Sequence, residues 1–479
     1  MIWFSHGFLR FVPVLIFCFS GSFVRALPAP GTPGTAVTAA SDSLRLRLPV
    51  IKYQLENGLT VLLHRDTTVP IVSYHTWYKV GSLNEAEGIT GAAHMLEHMM
   101  FKGAKKYSGK DFDHIIHENG IVNNAFTTYD YTGFYQNLPP DKLELVMDLE
   151  VDRMSSLTID PAELLKERDV VKEERRWRVD NNPMGLLREL TMSTIFKQHP
   201  YRWPVIGTME DISNYEAPVL RRFYEQYYVP NNAILVLVGD IDIERTKSLI
   251  QKYYGKLPRK ALPEIKYPDE PPQQVQYNAK LKQEVQGITF NVSFRGVPLG
   301  HPDSYALDLA AQILGSGASS RLYKRLVYQS QVAAQAFSYH SNMKDHGVFA
   351  VGVVLKPNQD MEKPLEASYN EIYRLRTQPV SDKEIKKAKI QVMKSVVDEL
   401  MTVDGKARAL ASAEIVTGSY ENLLTDIEKY NRVSPADVQR VAAKYLNTTQ
   451  RSIVVLEPKS SQKIPVKASD KPKEEAKRK

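Results

Sequence analysis

A single cysteine, Cys18, serves all 479 residues, and it lies in an apolar N-terminal stretch. Once that stretch is removed, no disulfide can brace the chain, and neither thiol catalysis nor thiolate ligation of a metal is open to it. Any metal must then be held by histidine and carboxylate. Surplus charge is scarce as well. The formal net charge is +7, yet residues 459–479 set eight Lys/Arg against Asp470, Glu474 and Glu475, and Arg10 and Arg25 supply the rest, which leaves the body neutral. A nucleic-acid binder carries positive charge as a patch on its folded body. Here the charge sits on a Lys/Pro/Glu-rich end of disordered composition, so no nucleic-acid partner is expected. The apolar run Phe11 to Val24, interrupted by Pro13, is too short to span a bilayer comfortably. Gly315-Ser316-Gly317 lacks the Gly-Lys-Ser/Thr that completes a phosphate loop, so a turn explains it.

What is present reads from the N-terminus as follows. Arg10, the apolar run and Val24-Arg25-Ala26 form an export signal over residues 1–26, with short side chains placed for cleavage. Phe17 stands before Cys18 where a lipoprotein would have a small residue, and the segment lacks the Arg-rich amphipathicity of a mitochondrial transit peptide. A secreted or periplasmic location is expected. Residues 27–45, rich in Pro, Gly, Ala, Ser and Thr, read as a flexible leader. Five prolines between Leu257 and Gln274 mark a linker, 257–274, between an N-terminal domain, 46–256, and a C-terminal domain, 275–458, followed by the basic tail, 459–479.

The halves repeat a pattern. A strand-like run, Ile71 to Val80, precedes a helix-like run, Gly91 to Phe101. Ile288 to Phe294 and Ser304 to Leu314 do the same in the second half. Buried strands, Asn232 to Asp240 and Thr449 to Leu456, close the two halves, each after a Tyr-containing helix end. An internal duplication with a period of roughly 220 residues follows. The expected fold is α+β: two similar α/β sandwich domains facing across a cavity.

The chemistry gathers at His94-Met95-Leu96-Glu97-His98. On a helix, positions i and i+4 share a face, so His94 and His98 can present two imidazoles to one ion. Glu97 lies beside that face, where it reaches water without ligating. Zinc takes such neutral nitrogens with one open position, and a nearby carboxylate accepts the water's proton. The order is the inverse of His-Glu-x-x-His. A third ligand is sought in Glu163 to Arg178, whose apolar positions recur at helical spacing. Of its acids, Glu163 and Glu173 read as solvated, while Glu167 and Glu174, seven apart, share a face.

With these motifs the sequence resembles the pitrilysin-like inverzincins, the insulinase and mitochondrial-processing-peptidase group, and within it the bacterial periplasmic zinc peptidases. The resemblance spans nearly the whole mature body. It implies that Glu174, in Glu-Arg-Asp-Val-Val-Lys-Glu-Glu at 167–174, is the third zinc ligand, and that Glu167 is the family's supporting, catalytically required glutamate. Asn124-Ala125-Phe126-Thr127, followed by Asp130-Tyr131-Thr132, matches the family's edge strand. The resemblance makes Asn124, Ala125, Phe126 and Thr127 the substrate-binding strand for an extended peptide. One zinc ion per chain and a peptide substrate are implied.

Two departures qualify the match. Gly120-Ile121 stands where relatives have Gly-Gly. More consequentially, many active relatives carry an Arg and a Tyr, seven apart, in the second half to bind substrate carbonyls. Counting from Arg321-Leu322-Tyr323, those positions are Val327 and Ala334; Arg325 and Tyr328 fall out of register. The resemblance therefore implies a metalloendopeptidase that cleaves peptides or unfolded segments as the zinc-bearing subunit of a heterodimer whose partner carries the Arg/Tyr pair. A homodimer is the alternative, and a non-catalytic subunit the contrasting reading. His114 and His117, beside Asp113 and Glu118, read as a solvated helix face. His64 and His75 read as structural, and Trp77, Tyr78, Tyr129 and Tyr135 as core or cavity wall.

Overall fold

The computed structural model describes residues 47–264 and 266–459. The expected export signal, the leader and the basic tail beyond Lys459 lie outside the described residues. Among the described residues, no helix is long and apolar enough to cross a membrane.

Eleven strands form two sheets among the described residues. The first contains β1 (Ile51–Gln54), β2 (Thr60–Arg65), β3 (Val72–Tyr78), β4 (Val122–Thr127), β5 (Thr132–Leu138) and β6 (Ala233–Gly239) in the order β1-β2-β6-β3-β5-β4. The second contains β7 (Tyr277–Gln283), β8 (Thr289–Gly296), β9 (Ala333–Asn342), β10 (Gly347–Leu355) and β11 (Ser452–Pro458) in the order β7-β11-β8-β10-β9. Without β1 the two orders are the same. In each, one parallel pair (β2 with β6, β7 with β11) is followed by three antiparallel ones. β2, β3 and β6 begin at 60, 72 and 233 and their counterparts at 277, 289 and 452, which is 217, 217 and 219 residues later. The duplication is thus carried by topology where sequence identity is faint. β3 and β6 are buried along their whole length. Their run of Val, Ile, Leu and aromatics is what a strand covered on both faces requires.

The covering layers are exchanged between the halves. The first-half helix Pro183–Ile195 lies against β7, β8 and β11 of the second sheet, with Leu187 packed on Val454 and Leu456. The second-half helix Val403–Thr417 lies against β3 and β6 of the first sheet, with Val403, Ala407, Leu410 and Ala411 packed on Leu62, Trp77 and Val236. Polar contacts lock both crossings. Asn291 donates to Thr191 at 3.2 Å, Lys52 pairs with Glu414 at 2.6 Å, and the buried His75 Nε2 lies 3.1 Å from Asp404. Where these helices sit, the halves meet by packing. The Pro-rich segment is equally tied down. The Glu270 carboxylate accepts the backbone N–H groups of Lys197, Gln198 and His199 and pairs with Arg295 at 2.8 Å.

Candidate metal centre

The His-x-x-Glu-His segment is helical over Ala92–Met99. The Glu85 carboxylate accepts the N–H groups of Gly91 and Ala93 at 2.7 and 2.9 Å, satisfying donors that a helix start leaves open. Gly91 has φ 86°, and a Cβ there would sit 2.4 Å from the Ile206 carbonyl oxygen, so glycine alone fits. The acidic segment forms a second helix, Pro161–Arg175, started by Asp160, which accepts from the N–H groups of Ala162 and Glu163, and by Pro161 in its first turn. It packs on the motif helix and passes into a π turn, Arg176–Asp180.

The two helices bring His94, His98 and Glu174 together, with one ligand atom from each lying within 4.8 Å of the others. Glu174 Oε2 lies 3.7 Å from His94 Nε2 and 3.2 Å from His98 Nε2. Bonds of about 2.1 Å in a tetrahedron put ligand atoms about 3.4 Å apart, so these separations suit zinc. Glu174 Oε2 is buried without a hydrogen-bond partner, an arrangement that is costly unless a cation completes it. The donor set of two imidazoles and one carboxylate is also zinc's. Among the described residues this is the one such grouping of His, Cys, Asp and Glu. His114 stands apart on an exposed helix face, 3.2 Å from Glu118.

The atoms turned away from the centre are held by neighbours. His98 Nδ1 lies 2.8 Å from Glu167 Oε1, and Glu167 Oε2 pairs with Lys102 at 2.6 Å. Arg178 pairs with the other oxygen of Glu174 at 2.8 Å. His94 Nδ1, by contrast, is buried without a partner. Sequence reasoning found Glu167 only through the family resemblance and missed Lys102 and Arg178. Both were legible as i+4 neighbours of ligands, Lys102 of His98 and Arg178 of Glu174.

Charge follows from these contacts. Burial pushes the Glu97 carboxyl up to about 7 against the pull of His98 and of the hydrogen bond from Thr127. Burial pushes His94 down to about 3. Burial also opposes charge on His98, but the Glu167 hydrogen bond and the carboxylates of Glu174 and Glu97 raise it to about 9. Burial works against Glu174 too, yet the two histidines and Arg178 hold it at about 2. A metal must therefore displace a proton from His98 on entering.

The Asn-Ala-Phe-Thr segment is the outer strand β4, paired on one side only. The Thr127 hydroxyl donates to Glu97 at 2.6 Å, so this side chain serves the motif helix and leaves its backbone at the strand edge. Phe126 packs on Trp77 at 5.0 Å and under the Arg408 guanidinium at 5.2 Å. The exposed Asn124 accepts the Ala125 N–H at 2.8 Å through its own side chain. Val327 is half-buried against the second core, and Ala334 is exposed on β9, so neither offers a polar side chain. Trp77, Tyr78, Tyr129 and Tyr135 are buried as expected.

Residues 60–209 match the family model described as insulinase (peptidase family M16), and residues 214–392 the one described as the peptidase M16 inactive domain. The zinc protease PqqE of Helicobacter pylori is 32% identical over 409 residues, covering 84% of this chain and 92% of that protein. The zinc protease YmxG of Bacillus subtilis is 26% identical, covering 85% and 98%. A crystal structure of a protease from Helicobacter pylori superposes with a TM-score of 0.82 at 31% identity, over 86% of this chain and all of that one. The periplasmic protease PqqL of Escherichia coli shares the fold with a TM-score of 0.71 at 20% identity, over 86% of this chain and 48% of that one. The chain belongs to peptidase family M16, the insulinase family.

Proposed function

We propose that the chain is an exported zinc metalloendopeptidase acting on peptides or unfolded segments, with His94, His98 and Glu174 as the ligands of one zinc ion. The observation that carries this reading is the buried, unpartnered Glu174 oxygen facing two imidazole nitrogens beside a carboxylate that is no ligand, Glu97. Zinc held there would supply Lewis-acid polarisation of a peptide carbonyl and acidify water. Glu97 is suited to take the proton from the attacking water and return it to the leaving amine, because burial brings its affinity for protons near neutrality. Glu167 holds His98 by Nδ1, which leaves Nε2 for the metal. The open edge of β4 would take the substrate as an added strand, with Ala125 exchanging its contact with Asn124 for one to the peptide. Thr127 ties that strand to Glu97, so substrate position and base position are linked.

We further propose that the active enzyme has two subunits and that this chain brings the zinc. The half-buried Val327 and the methyl of Ala334 leave the second half without hydrogen-bond donors at the two family positions, and a missing donor to the developing oxyanion is worth about 10²–10³ in rate. A partner subunit of the same fold would supply them.

The test is hydrolysis of an unstructured peptide by the tagged chain, isolated both alone and in the assembly it forms in its own source. The assembly is expected to cleave, and Glu97→Gln or chelation to stop it. Undiminished cleavage by Glu97→Gln would overturn the peptidase reading. Full activity of the isolated chain would overturn only the two-subunit reading.

A further inference from the structure

The second half holds a cavity of about 200 Å³ beneath the helix Glu362–Thr377 and beside the turn that leads into β11. Arg376, Arg451, Tyr369, Tyr373, Asn447 and Thr448 line it, and no carboxylate does. Arg451 donates through Nε to the Gln276 amide oxygen at 2.7 Å and lies 3.9 Å over the Tyr369 ring, both neutral partners. Arg376 Nε is buried and makes no hydrogen bond. Partly buried guanidiniums are ordinarily paired with carboxylates. Two of them on one cavity, with no acid facing either, form a positive hollow with unused donors.

The duplication shows that this hollow is not imposed by the fold. The segments around it lie 219 residues after their first-half counterparts, the same offset as between β6 and β11. At the matching first-half positions stand Met154 for Tyr373, Leu157 for Arg376, Tyr228 for Asn447 and Val229 for Thr448, all buried. One copy of the architecture is sealed by apolar and aromatic side chains, whereas the other opens onto two arginines.

We propose that this cavity binds a small ligand through an oxyanion, a carboxylate or phosphate group clamped by Arg376 and Arg451. The planar, many-donor geometry of arginine suits both groups. The volume falls below the roughly 300–1,000 Å³ of pockets for drug-sized molecules, so the ligand is a short organic acid or a phosphate rather than a nucleotide. The site is separate from the metal centre, and it stands whether or not the peptidase reading does.

Calorimetric titration of the full chain with inorganic phosphate, with succinate, and with chloride at matched ionic strength tests this. Saturable binding of phosphate or succinate is expected, and whichever binds identifies the source of the oxyanion. Arg376→Gln is expected to weaken it at least about tenfold, the loss of one charged hydrogen bond, without lowering the melting temperature, since Arg376 Nε holds nothing in the fold. Arg451→Gln serves as the second variant. Binding must survive in His98→Ala. No binding beyond chloride, equal binding in both arginine variants, or loss in His98→Ala would each overturn the proposal, the last by placing the anion at the metal.

Discussion

Glu97 and Thr127 stand 30 residues apart, yet one hydrogen bond joins the base of the motif helix to the strand proposed to carry substrate. Replacing Glu97 by Gln keeps the size and the Thr127 contact but removes the proton acceptor. Hydrolysis should fall by about 10²–10⁴, the usual worth of a positioned general base, with zinc content unchanged. Arg178 makes a separate prediction. It holds the Glu174 oxygen that faces away from the centre, so Arg178→Gln should weaken zinc about 10–100-fold, read by competition with a chromophoric chelator. Arg178→Lys should recover part of the loss. Unaltered zinc affinity in Arg178→Gln would show that Glu174 needs no such restraint. The ligands themselves were legible because helix periodicity alone puts His94 and His98 on one face. The supporting pairs escaped because a salt bridge at i+4 looks the same on any solvated helix, and only the structure shows which pairs touch a ligand.

At the level of elements, the strands and helices around the motif follow the sequence pattern closely. Ile71 to Val80 contains β3, and Gly91 to Phe101 contains the motif helix. Two features did not show. The π turn Arg176–Asp180 continues a helical pattern without a break in composition, so nothing marked the change of winding. The exchange of Pro183–Ile195 and Val403–Thr417 was hidden for a different reason: an amphipathic helix shows that it must be covered, not which sheet covers it. That exchange has a measurable consequence. Leu410 is fully buried against the first sheet although it comes from the second half. Leu410→Ala should cost about 2–5 kcal/mol, and urea unfolding followed by tryptophan fluorescence should remain a single transition with a lower midpoint. Two separated transitions would show that the halves fold independently of the crossing.

For the whole molecule, the duplication puts the metal site on one copy only. The helix matching the motif, Ser304–Gly315, contains no histidine or glutamate, and in the second half Asp308 is instead engaged by His340 and Tyr430. The sequence disclosed the repeat through spacing and strand pattern, while the identical strand order needed coordinates. The halves are also joined electrostatically. Burial opposes charge on Asp404, but His75 and Arg408 hold it at about 2, below its ordinary 3.8. A carboxyl lowered in the folded state adds stability that is complete above its unfolded value and is lost as pH falls through the folded one. The contribution should therefore disappear between about pH 4 and pH 2. Asp404→Asn should be less stable than the parent at pH 7 in denaturant titrations, and the difference should shrink by pH 2. A constant difference across that range would assign the effect to packing alone.

The most direct measurement is the zinc content of the purified chain beside Glu97→Gln, His94→Ala and Glu174→Gln, by plasma mass spectrometry after dialysis against metal-free buffer. One zinc per chain in the parent and in Glu97→Gln, with loss in the other two, is what the site geometry predicts. A parent without stoichiometric zinc, or a Glu97→Gln variant that loses it as His94→Ala does, would contradict the assignment of ligands and base.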